Sequence, residues 1–383
     1  MIKITNPADC CGCTACASIC NHDAIIMKPD ALGFLYPEVD IDKCTDCGLC
    51  EKVCSFNDNY DVTLNFPEPI AYGARHKNLD EVMKSRSGAV FVVLSDYVLD
   101  NGGVVYGAGY TDHFRVVHKR ATTKEERDEF RGSKYVQSDM NTVFRQVKKD
   151  LKDGLNVLFS GTPCQTSGLN SYVGNNLREK LVLVDIVCHG VPGPYLWRDF
   201  LYYLEKKEGC KVTWVNFRDK EQFGWKAHKE TFKFGEKKVD KKFYFSSMFY
   251  QNIMFRHSCA VCHFCNTKRP SDITIADFWG WEKQNPTINA DDKGVNLVLV
   301  NTKKGQDLFE NVKDKLHVFD TTQEFYMQPN LRCPSKKHFR RDAFEIDYKE
   351  KGFEYIFHHK YRNVTMTNWI KHKLRTLFNN FFR

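Results

Sequence analysis

The sequence predicts an α+β chain: a small cysteine-rich module, then a larger mixed α/β body containing at least one parallel βαβ unit. Three observations predict this. Nine of the sixteen cysteines fall within residues 10–54, in a run that occurs twice at an offset of 34. Beyond residue 70, strand-like and helix-like periodicities alternate, the pattern of a sheet covered by helices. Hydrophobic residues make up 42% and aromatic residues 14% of the 383, enough for a packed core in the body.

The module comes first. Each run reads C-x2-C-x2-C-x3-C: Cys10, Cys13, Cys16, Cys20, then Cys44, Cys47, Cys50, Cys54. This is the bacterial ferredoxin spacing for two [4Fe–4S] clusters, in which the fourth cysteine ligates the other cluster. Three cysteines at i, i+3 and i+6 wrap three corners of one cube. The fourth, a short helical step on, points to its neighbour. One cluster is therefore expected on Cys10, Cys13, Cys16 and Cys54, the other on Cys44, Cys47, Cys50 and Cys20. Zinc is the rival, but zinc sites favour paired cysteines at tetrahedral spacing, not two full runs. Asn21 and Ser55 stand where proline usually follows the fourth cysteine, which removes a stiffener and no ligand. Cys11 reads as a bystander thiol.

Charge divides the chain. Residues 1–60 hold nine acids against four lysines, a net −5, so the rest carries +13 of the total +8. An acidic module beside a basic body suits a charged redox partner protein or ferredoxin, and ordinary solvated surface explains the same numbers. The opening Met-Ile-Lys-Ile-Thr-Asn-Pro has no apolar stretch, so no secretory signal is expected. The best candidate for a membrane span, Ala89 to Leu99, is broken by Ser95 and Asp96 and falls short of about 18 apolar residues. A cytoplasmic, reducing location follows, where clustered cysteines mean metal or redox chemistry.

Along the body, Val90–Leu99 reads as a buried helix stopped by Asn101-Gly102-Gly103, and Val104–Tyr106 and Phe114–His118 as strands. Ser138 is expected to cap a helix carrying Val143, Phe144, Val147 and Leu151, ended by Gly154. Val157–Phe159 and Leu181–Val187 read as strands, and Tyr195–Glu205 as a helix. Further strands are expected at Val212–Phe217, His228–Phe234, Ile273–Ile275 and Val295–Val300, and a helix at Gln306–Leu316. In the tail, Ile370, Leu374, Leu377, Phe378 and Phe381 form a stripe opposite Lys371, Lys373 and Arg375. Such a helix fits peripheral contact at the inner face of a membrane, or docking on the body or a second subunit.

A second cysteine set follows the paired strands. Cys164 lies after Val157–Phe159 and Cys188 after Leu181–Val187, so one βαβ unit would bring both to the sheet edge where ligands bind. Cys259, Cys262 and Cys265 are spaced x2 and x2. Cys164 and Cys188 with two of these three could hold a third cluster. Two structural cysteines and a separate zinc knuckle explain the same spacing, and His189 and His263 are alternative ligands. No G-x-G-x-x-G occurs, so a Rossmann dinucleotide site is not supported.

Six stretches occur in order: Ser85-Arg-Ser-Gly88, Asn101-Gly-Gly-Val-Val-Tyr-Gly107, Arg131-Gly-Ser-Lys-Tyr-Val-Gln-Ser138, Phe159-Ser-Gly-Thr-Pro-Cys-Gln165, Val184-Asp-Ile-Val-Cys-His-Gly-Val-Pro192 and Ser271-Asp-Ile-Thr-Ile-Ala-Asp-Phe-Trp-Gly280. In combination they resemble the coenzyme F420 hydrogenase/dehydrogenase beta-subunit family, over roughly residues 5 to 335, with its N-terminal ferredoxin module. Ala276 departs from the glycine the family more often has there. The resemblance implies FAD and a third [4Fe–4S] cluster on Cys164, Cys188, Cys259 and Cys262, with Cys265 as a substitute. It puts flavin contacts on Ser87, Gly88, Gly132, Ser133, Lys134, Tyr135, Gly161 and Thr162, and makes Lys134 and Arg131 candidate anion contacts. The expected domains are 1–58 (two clusters), 59–69 (a linker with Pro67 and Pro69), 70–335 (flavin and third cluster) and 336–383 (basic aromatic tail). The implied function is an iron–sulfur flavoprotein oxidoreductase. Family members act on the deazaflavin F420 or another small organic substrate, and many look associated with surface-polysaccharide biosynthesis. The alternative is a non-catalytic electron carrier for a partner enzyme. No nucleic-acid partner is expected.

Overall fold

A computed structural model describes residues 1–241, 245–357 and 361. The expected amphipathic helix at 368–383 lies outside the described residues. None of the described helices is long and apolar enough to cross a membrane.

The cysteine module is driven into the body. Strands β1 (Ile25–Pro29) and β2 (Leu35–Val39) form an antiparallel pair between the two cysteine runs. Their turn is set by Asp30, whose carboxylate accepts from Leu32 N and Phe34 N, both at 2.9 Å. Leu32 and Phe34 are fully buried in one core with Trp197 and Phe200. Burying such side chains contributes about 1.5–3 kcal/mol each. Gly33 is required here: its φ is +87°, and a Cβ would stand 2.9 Å from Tyr195 N, which donates to Leu32 O at 3.0 Å. Cys11, Cys13, Ala15, Val53 and Phe56 pack into a second core with Phe144, Phe159, Leu169 and Phe264 of the body. The module is thus part of the globule, not a bead on a tether.

The body is a mixed sheet. Its strands are β3 (Asn65–His76), β4 (Val104–Thr111), β5 (Arg115–Ala121), β6 (Val157–Gly161) and β7 (Leu181–Ile186). A small antiparallel sheet of β8 (Trp214–Asn216), β9 (Glu230–Phe234) and β10 (Lys237–Lys241) intervenes. Then follow β11 (Ile273–Asp277), β12 (Asn296–Thr302) and β13 (Leu316–Asp320). The main sheet runs β13-β3-β12-β11-β7-β6-β4-β5. Its centre, β4, β6, β7 and β11, is parallel, and the flanks are antiparallel. The expected βαβ unit is β6, the helix Pro163–Val173 and β7. The C-terminal ends of β6, β7 and β11 therefore share one edge.

Three local expectations shift. Strand β3 begins at Asn65, inside the segment read as linker. Asn65 pairs with Thr302 and Ile70 with Val300, so Pro67 and Pro69 fall where the register breaks and no ladder N–H is needed. Ser138 caps no helix: its hydroxyl is engaged by His118 Nδ1 at 2.8 Å and Gln165 Nε2 at 2.9 Å, and the helix starts at Val143. The helix expected at Gln306–Leu316 spans Lys303–Val312 instead. Thr302 Oγ1 caps Gly305 N at 3.1 Å, and Leu316 already belongs to β13.

Part of the presumed tail is a clamp. The helix Arg341–Tyr355 puts Phe344, Tyr348 and Phe353 into the core around Trp197. Its Arg341 Nε donates to Phe255 O at 2.8 Å, and Glu345 meets His257 Nε2 at 3.0 Å and Arg341 Nη1 at 2.7 Å. These bonds hold the segment leading to Cys259. The His257 bond, with Arg341 helping, brings the Glu345 carboxyl down to about 2 against the opposing effect of burial. A depressed carboxyl adds stability above its ordinary pKa of about 4.3 and loses it as pH falls through the folded value. The group is partly solvated, so we expect Glu345→Gln to cost only about 1–2 kcal/mol at pH 7. In denaturation curves that difference should shrink steadily between pH 4.3 and pH 2.

Candidate functional site

The first cysteine run lies in a loop from the short 3-10 turn Pro7–Asp9 into the helix Ala15–Ile19. The structure brings Cys54 to it across the module. Burial holds the Cys16 thiol well above its ordinary pKa, and the charges of Cys13, Cys10 and Cys54 add to this. Cys54 likewise responds to burial and then to Cys13 and Cys10. The charges of Cys10, Cys13 and Cys54 are thus felt at Cys16, the set that the crossed spacing predicts to share one cluster. The body presses against it: a Cβ on Gly168, in the helix Pro163–Val173, would stand 2.7 Å from Cys13 Sγ.

Cys20, Cys44, Cys47 and Cys50 line a single pocket with Ile19, Ala24, Ile25, Val39 and Leu49. This second group lies outward: Cys47 is exposed, whereas Cys13 and Cys16 are buried. Ile2 N donates to Cys50 Sγ at 3.3 Å. Carboxylates of Asp46 and Glu51 flank the group in sequence and are largely solvated.

The third group forms at the shared sheet edge. Burial pushes the Cys188 thiol well up, reinforced by Cys259, Cys164 and Cys262. Burial, then Cys262 and Cys164, push Cys259 up to about 12. Cys265 is close to Cys262 and Cys188 and so stands beside the group as a reserve thiol. The two histidines take other partners. His189 Nδ1 meets Asn330 at 3.1 Å, and His263 Nδ1 meets Asp58 at 2.6 Å. Among the described residues, no three His, Cys, Asp or Glu side chains are drawn together around a single metal ion. Four half-buried thiols at one sheet edge, with no carboxylate among them, fit the donor set of an iron–sulfur cube.

Cys11 is not a bystander. Its buried side chain packs in one cluster with Cys13, and Cys164 and Cys262 pack against that same cluster. Its carbonyl accepts from Gln137 Nε2 at 2.9 Å. One residue therefore joins the first group to the third. Only its neighbours in space give it that role, so spacing carried no signal for it.

The residues expected to hold flavin line the same edge, with different freedom. Gly161 and Thr162 close β6, and Thr162 Oγ1 lies 3.1 Å from Cys164 Sγ. Ser87 is buried with its hydroxyl on Val295 O at 2.8 Å, and a Cβ on Gly88 would stand 2.5 Å from Ala74 O. Gly132 has φ +76° with open space beside it, and Ser133 is exposed. Tyr135 packs against Phe217 and Phe249, its hydroxyl 3.4 Å from Arg218 Nη1. Lys134 is bonded inside its own loop, and Arg131 is ion-paired to Asp128 and to Glu81 of the helix Leu79–Lys84. Lys134 Nζ donates to the carbonyls of Glu129 and Arg131 at 2.7 and 3.0 Å, and Arg131 pairs with Glu81 and Asp128, both at 2.6 Å.

Further cationic donors gather at the end of β11. Arg218 bonds Asp277 at 2.6 Å at the end of β11 and meets His228 Nε2 at 2.9 Å; Arg86 lies 3.7 Å from the same carboxylate. Burial, then Arg86, bring His228 down to about 4, so it is neutral at pH 7 and two arginines face one carboxylate. Arg86 Nε and Nη1, Arg218 Nε and His228 Nδ1 are buried without a hydrogen-bond partner. Trp279 stacks on Trp225 and His228, and it and Tyr250 are 42% and 43% exposed. Unmet donors behind an open aromatic wall suit a planar group carrying negative charge. Arg86 and Trp279 sit inside stretches that sequence singled out; Arg218 and His228 gave no signal.

Comparison with known proteins adds two family-model matches. Residues 9–57 match the family model of the 4Fe-4S dicluster domain, and residues 154–324 that of the C-terminal part of the coenzyme F420 hydrogenase/dehydrogenase beta subunit. The two matches follow one another in this order along the chain. Its dicluster domain accounts for two [4Fe–4S] clusters, and the chain is an iron–sulfur electron-transfer protein. The beta-subunit domain spans the third cysteine group and Arg218, His228 and Trp279. A chain of the F420-reducing [NiFe] hydrogenase complex from Methanosarcina barkeri, solved with xenon, superposes with a TM-score of 0.48 at 16% identity, covering 76% of this chain and 94% of that one. No curated protein matches.

Proposed function

We propose that the chain is an iron–sulfur flavoprotein oxidoreductase. In this reading Cys10, Cys13, Cys16 and Cys54 hold an inner cluster, Cys20, Cys44, Cys47 and Cys50 an outer one, and Cys164, Cys188, Cys259 and Cys262 a third. Tyr135, Trp279 and Tyr250 near the end of β11 would hold FAD, with Arg86 and Arg218 as its anion contacts. When bound, the clusters supply one-electron transfer and the flavin converts it to two-electron exchange with a small organic substrate such as a deazaflavin. The observation that carries the reading is the packing of Cys11 and Cys13 with Cys164 and Cys262, where the helix that begins at Pro163 presses Gly168 against Cys13 Sγ, because it makes the inner and third groups neighbours. The chain's own part is to bury the inner and third groups from water and leave the outer one near solvent. Exposed Ile41 and Leu49, close in sequence to Asp42, Asp46 and Glu51, would offer the outer face to a basic redox partner.

A non-catalytic electron carrier is the second reading. It is favoured by one observation: Ser87 and Lys134, two of the expected flavin contacts, are already bonded to main-chain carbonyls. Counting cofactors separates the two. After anaerobic reconstitution we expect iron and sulfide for three [4Fe–4S] clusters and one flavin per chain. Three clusters without flavin would leave the carrier. Iron for only two would remove the third site.

A further inference from the structure

We infer that Arg256 sets the reduction potential of the inner cluster and, more weakly, of the third. The inference rests on the ligand sets proposed above. Arg256 is 1% exposed and comes from the body segment three residues before Cys259. Its guanidinium crosses into the dicluster domain. Nε donates to Cys10 O at 2.7 Å, Nη2 to Leu35 O at 2.9 Å and Nη1 to Gln137 Oε1 at 3.1 Å. The remaining reach of Nη2 is to Cys10 Sγ itself, at 3.5 Å. The cation lies over the Tyr36 ring, 4.1 Å from its centre, and 5.4 Å from that of Phe34. A Cβ on Gly12 would stand 2.8 Å from Nη1, so the cysteine loop is shaped to admit it.

No carboxylate is within ion-pair distance of Arg256 among the described residues. The acids whose charge is felt around it are Asp30, which bonds the amides of its own turn, and Glu345, paired with His257 and Arg341. The charge of Arg256 is instead felt by Cys10, Cys13, Cys164 and Cys259, so it stands between the inner and third groups. A buried cation without a carboxylate needs negative charge nearby, and a cluster with four thiolates supplies it.

Reduction adds one negative charge to a cluster. Burial alone disfavours that charge and lowers the potential. A cation and an N–H···S bond favour it and raise the potential. Arg256 thus offsets the burial of the two interior clusters, so that electrons entering at the exposed outer cluster can move inward. At the outer group the Met1 ammonium is part-exposed and already paired with Asp46 and Glu51, so among the described residues no buried cation free of carboxylates faces it. Cys10 also takes its orientation from the bond to its carbonyl, which makes Arg256 a positioning residue as well.

The test is an EPR-monitored redox titration of the full chain, anaerobically reconstituted, with iron counted in each sample. In Arg256→Gln, the inner cluster's reduced-to-oxidised ratio at fixed potential should fall about tenfold, a shift of about 59 mV for a one-electron couple. The third cluster should shift less in the same direction, and the outer cluster should not move. Arg256→Lys keeps the charge and loses the N–H···S bond, so its shift should have the same sign and be smaller. Full iron with unmoved potentials in both variants overturns the inference and leaves the ligand sets standing. So does an equal shift of all three clusters. If Arg256→Gln fails to load the inner cluster, the lysine variant decides by the same signs, and loss of the cluster from both makes Arg256 a structural residue only. A wild-type chain short of three clusters' iron would instead strike at the ligand sets.

Discussion

Changing Cys188 and Cys265 together to serine is expected to remove the third cluster and leave both clusters of the dicluster domain in place. Cys188 follows β7, whose register with β6 and β11 fixes where its thiol lies, beside Cys164, Cys259 and Cys262. A serine hydroxyl is a harder and much less acidic donor than a thiolate, so it holds iron poorly. Cys265 has to go with it, because it stands close enough to Cys188 and Cys262 to take over. Iron per chain should drop by one third. Flavin reduction by pre-reduced clusters should slow by on the order of 100-fold or more, since changes merely around metal ligands already cost 10–100-fold. Cys188→Ser alone should show a milder loss. An iron count unchanged in the double variant would remove the third site from this edge.

What sequence could reveal depended on the distance over which each feature is determined. The two cysteine runs are local, so a spacing of three or four residues announced the dicluster domain. The βαβ unit was legible because β6 and β7 are short apolar runs joined by a helix-length segment. Strand β3 was hidden, because Pro67 and Pro69 read as a linker until the register break opposite Val300–Thr302 shows why they are tolerated. Helix starts failed where a hydroxyl had a better partner in space: Ser138 answers to His118 and Gln165, 20 and 27 residues away. The largest gap was between groups. Cys11 looked idle, and Arg256 and Arg218 are ordinary arginines in a basic body. Their roles come from contacts across 119 to 246 residues of chain, or with partners that only folding brings together. Local propensity holds no record of such contacts.

The same long-range logic predicts the largest loss of stability, at Arg269. Its guanidinium is 1% exposed and bonds Asp185, at 0%, with Nη2 2.8 Å from the carboxylate. It also donates to Ile186 O at 3.0 Å and to Phe264 O at 2.5 Å. Ile186 lies two residues before Cys188, and Phe264 two residues after Cys262. One side chain therefore ties together two loops that carry the third group. Arg269→Met keeps much of the volume but leaves Asp185 charged, buried and unpaired, a change that costs about 3–5 kcal/mol. Against a total of roughly 5–15 kcal/mol for a folded domain, that is a large fraction. Burial already raises the Asp185 carboxyl, and Arg269 opposes the rise, so without Arg269 the acid should take up a proton at higher pH. The folded-state pKa then climbs further above its unfolded value. The variant should accordingly be least stable at neutral pH and recover as pH falls toward the ordinary carboxylate range. Adding Asp185→Asn removes the orphaned charge and should restore about half the loss. Urea unfolding of the three chains at pH 7 and pH 5.5, with cluster absorbance as a second probe, measures this. If the single variant unfolds with wild-type stability while retaining full iron, the Asp185–Arg269 pair does not hold the two loops.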